Sequence, residues 1–255
     1  MPLDEYRAKR DFRISPEPSG AAARRRSRRG PLAFCVQKHL ATQLHYDLRL
    51  EHAGVLLSWA VPKGPALDPT VKRLAMQVED HPTEYGSFEG VIPTGYGAGV
   101  VMLWDHGTWA PEVDDVDAAL ARGDLKFRLD GYKLKGSWAL VRTRGWGGGK
   151  TEDGRSWLLI KHRDEWAGPV DIATFAPRSV KSDGDFADIL QATAPAVWTK
   201  NPGAEGAPSM DDLKLIVARV ERYAANAATS PDEAGGPVES PRPPTRGRGR
   251  SPRRG

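Results

Sequence analysis

The sequence predicts an all-β fold in the main: a compact β-barrel with few short helices, followed by a C-terminal helix and a disordered basic tail. Three observations carry that expectation. Short apolar or alternating runs recur through the first two thirds of the chain. Gly, Pro or Asp bounds most of them. Helical periodicity is scarce before residue 169.

Residues 1–19 combine Tyr6, Lys9, Arg10, Asp11 and Phe12 with Pro16 and Pro18. Two prolines two apart disfavour a helix, so this stretch reads as an ordered, non-helical arm. Residues 20–30, Gly-Ala-Ala-Ala-Arg-Arg-Arg-Ser-Arg-Arg-Gly, read as a flexible basic linker, with a solvated loop and a phosphate-binding patch as equal alternatives. The barrel is expected over 31–168. Its strands begin at Ala33–Val36 and continue with His45–Glu51, where His45, Asp47, Arg49 and Glu51 alternate with Tyr46, Leu48 and Leu50. Gly54 turns the chain into Val55–Val61. Further strands are expected at Lys72–Val78, Gly99–Trp104, Lys126–Leu129, Ser137–Arg142 and Trp157–His162. Asp114–Arg122 reads as a short helix capped by Asp114 or Asp115. Residues 169–228 form an extension whose helix, near 209–228, has Ser209 as its cap and Leu213, Ile216, Val217, Val220 and Tyr223 at helical spacing. Residues 229–255, rich in Pro, Gly, Arg and Ser, read as a disordered tail.

Composition sets the class. Hydrophobic residues make up 39% and charged residues 27% of the 255, as in soluble globular proteins. No apolar run approaches the roughly 20 residues that span a bilayer, and the N-terminus lacks the apolar core of a secretory signal. A lone cysteine, Cys35, cannot form an internal disulfide, which points to a reducing, cytoplasmic setting. Residues 1–30 carry nine Lys/Arg against four acids, and residues 229–255 carry six Arg against three, which leaves a net charge of −4 between them. A body that is not basic, with basic ends, favours local attraction to a polyanion.

The stretch with most chemistry is Gln37-Lys38-His39, five residues, then His45-Tyr46-Asp47-Leu48-Arg49. Residues two apart on a strand point the same way with Cα atoms roughly 6.5–7 Å apart. His45 and Asp47 are therefore spaced to hold one ion, with His39 as a third ligand and Arg49 next on the same face. Two imidazoles and a carboxylate suit Mn²⁺, Fe²⁺ or Zn²⁺ and leave positions open. An adjacent guanidinium matches an anionic, phosphate-bearing substrate. The same alternation also describes the wet face of an ordinary strand, and spacing alone leaves both readings open. A second cluster, Val78-Glu79-Asp80-His81-Pro82-Thr83-Glu84-Tyr85, places a histidine, acids and a tyrosine in a segment that reads as a turn. His81 there is a candidate proton donor or phosphate contact; a loop histidine before proline is the plainer alternative. Lys63 and Arg73 are further cations.

These residues resemble a known family. Val36–His39, His45–Glu51, Ser58–Pro65, Glu79–Pro82, Phe88-Glu89-Gly90, Trp104–Thr108, Lys135–Trp138 and Trp157–Lys161 are similar to segments of the 3′-phosphoesterase domain of bacterial and archaeal DNA ligase D, as is the arm Tyr6…Lys9–Phe12…Pro16–Pro18. The similarity runs over roughly residues 4–168. It implies a β-barrel with a Mn²⁺ site (Co²⁺, Zn²⁺ or another divalent ion as alternatives). It implies removal of a 3′-phosphate and of a 3′-terminal ribonucleoside from primer-template DNA ends in double-strand break repair by non-homologous end joining. Position by position, the implied metal ligands are His39, His45 and Asp47. The implied phosphate contacts are Arg49, His81, Lys63 and Arg73, with Tyr85 supporting His81, and Gln37 and Glu79 close by. Arg10, Asp11 and Glu17 of the arm would fold over the site. A stand-alone, monomeric, nucleoid-associated enzyme is expected, with separate ligase, polymerase and end-binding proteins as partners. The turn Ile92-Pro93-Thr94-Gly95-Tyr96-Gly97-Ala98-Gly99 is one residue shorter than the family's, and the basic linker separates arm from barrel.

Other signals carry less. Lys181-Ser182-Asp183-Gly184 matches the four-residue motif of covalent nucleotidyl transfer, but too little chain follows it for a ligase. Gly147–Lys150 reads as a hairpin tip, and the tryptophans as core residues more than stacking platforms. The functional alternative is a non-catalytic DNA-end-binding module that recruits repair factors through its basic ends.

Overall fold

The computed structural model describes residues 3–13, 15–20, 30–95, 97–143, 154–199 and 209–229. The basic linker between residues 20 and 30, the hairpin tip at 147–150 and the tail beyond Thr229 lie outside the described residues.

The fold is an antiparallel barrel. Its strands are β1 (Leu32–Leu40), β2 (Leu44–His52), β3 (Val55–Val61), β4 (Lys72–Pro82), β5 (Gly90–Ile92), β6 (Gly99–Pro111), β7 (Asp124–Gly131), β8 (Lys135–Arg142) and β9 (Ser156–Lys161). They run in the order β1-β2-β3-β4-β9-β8-β7-β6, and β1 pairs with β6 to close an eight-stranded ring, leaving β5 on the flank of β6. Closure removes the unpaired edges that an open sheet would expose. β6 makes the seam. One edge pairs with β1 from Val100 to Trp109, and the other is shared between β5 at Gly99–Val101 and β7 at Gly107–Pro111.

Local sequence explains the strands. β7 buries Leu125, Phe127 and Leu129 while Lys126, Arg128 and Asp130 face water. β2 and β3 are joined across Ala53 (φ 49°) and Gly54 (φ 85°), two left-handed residues whose twist matches the hairpin. The interior holds Leu48, Leu50, Trp59, Phe127, Trp138 and Trp157, all essentially inaccessible. The Trp59 and Trp157 rings meet edge to face at 6.0 Å. The core reading of tryptophan holds at 59, 104, 109, 138 and 157, whereas Trp166 is 44% exposed.

Helices cover the barrel. α1 (Asp4–Ala8) opens the arm, so the stretch expected to be non-helical starts with one short helix, well before Pro16. α2 (Val116–Arg122) is capped by Asp115, whose side chain accepts from Ala118 N–H, and stops at Gly123 with φ 82°. α3 (Ile172–Phe175) and α4 (Phe186–Thr199) were not foreseen. α5 (Met210–Thr229) starts as expected at Ser209, which exchanges hydrogen bonds with Asp212 in a reciprocal cap. Two strands outrun their sequence signal. β4 continues to Pro82, so the segment around His81 is a strand end followed by a 3₁₀ turn at Thr83–Ser87, and β6 continues to Pro111.

The seam is tightest at Gly107, paired to Phe34 on one side and Gly131 on the other. A Cβ at that position would lie 2.1 Å from Asp130 O and 2.7 Å from Gly131 Cα. Because both obstacles are backbone, Gly107→Ala is expected to cost about 2–3 kcal/mol in urea unfolding. A loss below about 0.5 kcal/mol would contradict the seam as described.

Candidate metal centre

The site lies on the outer face of β1–β4. Antiparallel register sets His39 opposite His45, Gln37 opposite Asp47 and Cys35 opposite Arg49. Residues directly opposite project to the same side, so the polar members of both strands gather on one face while Val36, Tyr46 and Leu48 fill the interior. β3 adds Ser58 opposite Arg49. β4 adds His81 through a bulge: Leu56 pairs with His81 but Ser58 with Val78, so one extra residue turns Val78 and His81 to the same side. The result is a cleft of about 440 Å³ lined by His39, His45, Asp47, Arg49, His81 and Arg10 among others.

His39, His45 and Asp47 form a cluster whose ligand atoms lie within 4.8 Å of one another. His39 Nε2 is 2.9 Å from Gly97 O, and His45 Nδ1 is 3.0 Å from Gln43 O. A carbonyl only accepts, so each ring carries its proton on that nitrogen. The lone pairs are thereby left on His39 Nδ1 and His45 Nε2, which face Asp47 at 3.9 and 3.7 Å. Outer partners that fix the tautomer in this way are the usual support of a metal-binding imidazole. Burial holds the His45 pKa below the ordinary value, which favours the neutral ligand form. Burial would push the Asp47 carboxyl up, but its surroundings, led by the Arg49 guanidinium, hold the group ionised far below the usual range. The residues therefore fit a divalent cation: two imidazoles and a carboxylate whose ligand atoms lie close enough to share one ion.

Arg49 is 3% exposed, and each of its three nitrogens makes one hydrogen bond. It donates to Gln37 Oε1 at 2.7 Å, Ser58 Oγ at 2.9 Å and Asp47 Oδ2 at 3.0 Å, with its guanidinium over the Tyr85 ring. Gln37 is fixed in turn, donating to Tyr85 O and Phe88 O. The arm supplies Arg10, which donates to Glu17 at 2.8 Å, Glu79 at 3.2 Å, Tyr6 O and His81 Nε2 at 3.2 Å. Since guanidinium has no acceptor, His81 Nε2 accepts and its Nδ1–H donates to Glu79 O. Burial, then Arg49 and Arg10, hold His81 neutral well below its usual pKa. Tyr85, kept protonated by burial and Glu17, donates to Glu17 at 3.1 Å.

Of the sequence-predicted site residues, the structure brings together His39, His45, Asp47, Arg49, His81, Tyr85, Glu79 and Arg10 in the cleft, with Gln37 and Glu17 holding two of its arginines. Three stand elsewhere. Lys63 is exposed in the turn after β3. Arg73 pairs with Leu159 and shares the strand face of Ala75, away from Val78. Asp11 is spent on Arg13 at 2.6 Å and borders an adjoining pocket rather than the cleft. Sequence reasoning missed Ser58 and Gly97. Ser58 was legible as the cross-strand partner of Arg49 once β2 and β3 were read as a hairpin; Gly97 had no signal beyond its glycine-rich turn.

A model described as the DNA Ligase D 3′-phosphoesterase domain matches residues 37–142. The multifunctional non-homologous end joining protein LigD of Pseudomonas aeruginosa is 56% identical over 186 residues, 71% of this chain and 21% of that protein. The non-homologous end joining DNA repair protein LigD of Mycobacterium tuberculosis is 44% identical over 149 residues, 56% of this chain and 18% of that protein. The corresponding protein of Mycolicibacterium smegmatis is 38% identical over 178 residues, 67% and 22% respectively. The chain thus spans about a fifth of the length of the curated relatives it matches.

Protonation of buried His81 has a measurable sign. Its folded pKa is depressed, so between that value and the unfolded value near 6.5 the unfolded chain binds the extra proton, and stability falls as pH drops. In the metal-free protein, urea stability is expected to decline from pH 7 to pH 5. In His81→Asn the slope should be shallower, by up to about 1.4 kcal/mol per pH unit. Identical slopes would show that His81 is not held neutral.

Proposed function

The chain is homologous to the 3′-phosphoesterase domain of DNA ligase D, and on that premise we propose that it is a metal-dependent phosphoesterase that clears 3′-phosphates and 3′-terminal ribonucleosides from DNA ends. The single observation that carries the reading is the convergence of His39, His45 and Asp47 beside the buried guanidinium of Arg49. When bound, a divalent ion (Mn²⁺ in our reading, with Co²⁺ or Zn²⁺ as alternatives) supplies Lewis-acid stabilisation of phosphoryl charge.

The chain's own residues supply the rest. Arg49 faces the cleft with its geometry fixed by Gln37, Ser58 and Asp47, so it offsets charge on the phosphoryl oxygens without reorganising. Arg10 brings a second positive charge from the arm. Hydrolysis breaks the bond from phosphorus to the 3′-oxygen, and that oxygen leaves with a proton. His81 Nε2 is a lone pair in the resting arrangement, so acting as the acid requires that it first take up a proton. A phosphate dianion entering beside Arg10 and Arg49 favours this by offsetting the charges that help hold His81 neutral. The product, a 3′-hydroxyl, is the end that a ligase or polymerase extends, and such enzymes are the proposed partners in end joining.

The test is a 5′-labelled primer-template bearing a 3′-phosphate, incubated across a panel of divalent metals. Conversion to 3′-hydroxyl is expected with Mn²⁺, and neither EDTA-treated protein nor His45→Ala should support it. Arg49→Lys, which loses the fork that grips Gln37, Ser58 and Asp47 together, should lower kcat about 100-fold. A clean preparation that leaves the 3′-phosphate intact with every metal would refute the assignment.

A further inference from the structure

α5 lies outside the segment that matches the family model, yet two of its side chains reach both flanks of a candidate metal ligand. Arg219 and Tyr223 are one turn apart on one face of the helix. Arg219 Nη1 donates to Ala98 O at 3.0 Å, and the carbonyl of the preceding residue, Gly97, is the acceptor for His39 Nε2 at 2.9 Å. Tyr223 Oη accepts from Lys38 Nζ at 2.7 Å, and Lys38 immediately precedes His39 on β1. Lys38 is 3% exposed and sits among the rings of Tyr46, Phe186 and Tyr223. The helix itself is anchored by buried Leu213, Ile216 and Val220, with Tyr223 edge-on to Phe186 of α4 at 5.1 Å.

Glycines flank these contacts. Gly95 (φ 80°) and Gly97 (φ 82°) are left-handed, and the turn is closed by Ala98 N–H to Gly95 O at 3.2 Å. Gly99 passes so close to β1 that a Cβ would lie 2.2 Å from Leu40 O. Arg219 takes up the Ala98 carbonyl, one peptide beyond the Gly97 carbonyl that accepts from His39, and so restrains the backbone from which Gly97 O projects.

We propose that Arg219, assisted by Tyr223, is a positioning residue for the metal ligand His39. It acts by holding the Gly95–Ala98 turn so that the His39 proton stays on Nε2 and the lone pair on Nδ1. The inference rests on the reading of His39 as a ligand. Without Arg219 the turn is released, His39 gains access to the tautomer protonated on Nδ1, and that proton must be displaced before an ion binds.

The experiment uses the full chain, metal-free, titrated calorimetrically with Mn²⁺, and ¹⁵N NMR of the histidine rings before metal is added. Arg219→Met keeps the aliphatic stem and the helix but removes the donor. It is expected to raise the Mn²⁺ Kd about three- to tenfold, less than a direct outer partner of a ligand would, and to convert His39 from one tautomer to a mixture. Arg219→Lys, which retains a donor, should recover part of both. If Arg219→Met does not fold, Arg219→Ala, which also removes the donor and suits a helix, carries the same test; weaker binding with a mixed tautomer supports the proposal and wild-type binding overturns it. In folded Arg219→Met, an unchanged Kd or an unchanged tautomer overturns the role given to Arg219. A wild-type chain that binds no Mn²⁺ overturns the reading of the site as well, so the two failures are distinguishable.

Discussion

The register of the β1–β2 hairpin is the constraint on which the site depends. His39 opposite His45, Gln37 opposite Asp47 and Cys35 opposite Arg49 put ligands, carboxylate and guanidinium on one side of two paired strands. A slip of one residue would carry every one of them to the barrel interior and bring Tyr46, Leu48 and Leu50 out. The apolar partners therefore protect the polar ones. Burial of Leu48 and Leu50, which are 2% and 0% exposed, fixes the alignment that no polar contact on the other face would fix alone.

That alignment buries charge, and the surroundings are arranged to offset it. Arg49 and Asp47 neutralise each other at 3.0 Å, while Arg10 is held between Glu17 and Glu79, and Lys9 reaches Glu79 at 3.0 Å. Desolvating a lone charge costs several kcal/mol, so removing one member of such a set leaves its partner stranded. The two charge groups are joined by neutral links. Arg10 contacts His81, His81 lies 3.4 Å from Ser58 Oγ, and Ser58 accepts from Arg49. The arm is thus part of the same polar network as the ligands, although it precedes them by some thirty residues of sequence.

Much of this was legible in the sequence, and the exceptions have physical causes. The alternation at His45–Glu51 gave strand and face together and put His45, Asp47 and Arg49 on one side; reading them with His39 as a ligand set needed the family resemblance as well. β4 was read too short because the bulge that delivers His81 breaks that period at Glu79–Asp80, and a histidine before proline then looks like a turn. β6 was read too short because Asp105 is polar yet buried, accepting backbone N–H from Lys133 and Leu134, and Gly107 carries no side chain. Arg73 entered through the resemblance and not through any strand pattern, and the bulge leaves it on the face opposite His81. α4 and α5 were, respectively, missed and found, since the second has a cap and a clear apolar stripe. Nothing local says that α5 docks behind His39; that follows only from tertiary packing.

The shared seam strand has a consequence for how the chain is assembled. The hairpin that carries the ligands joins residues close in sequence, but the second edge of β1 is satisfied only by β6, with Leu32 meeting Trp109 across the closure. During synthesis the ligand-bearing strand emerges long before its other neighbour exists, and it waits with an open edge until the seam strand follows. Contacts that distant are slow to find, so ring closure rather than hairpin formation sets the pace at which a nascent chain acquires its cation-binding face.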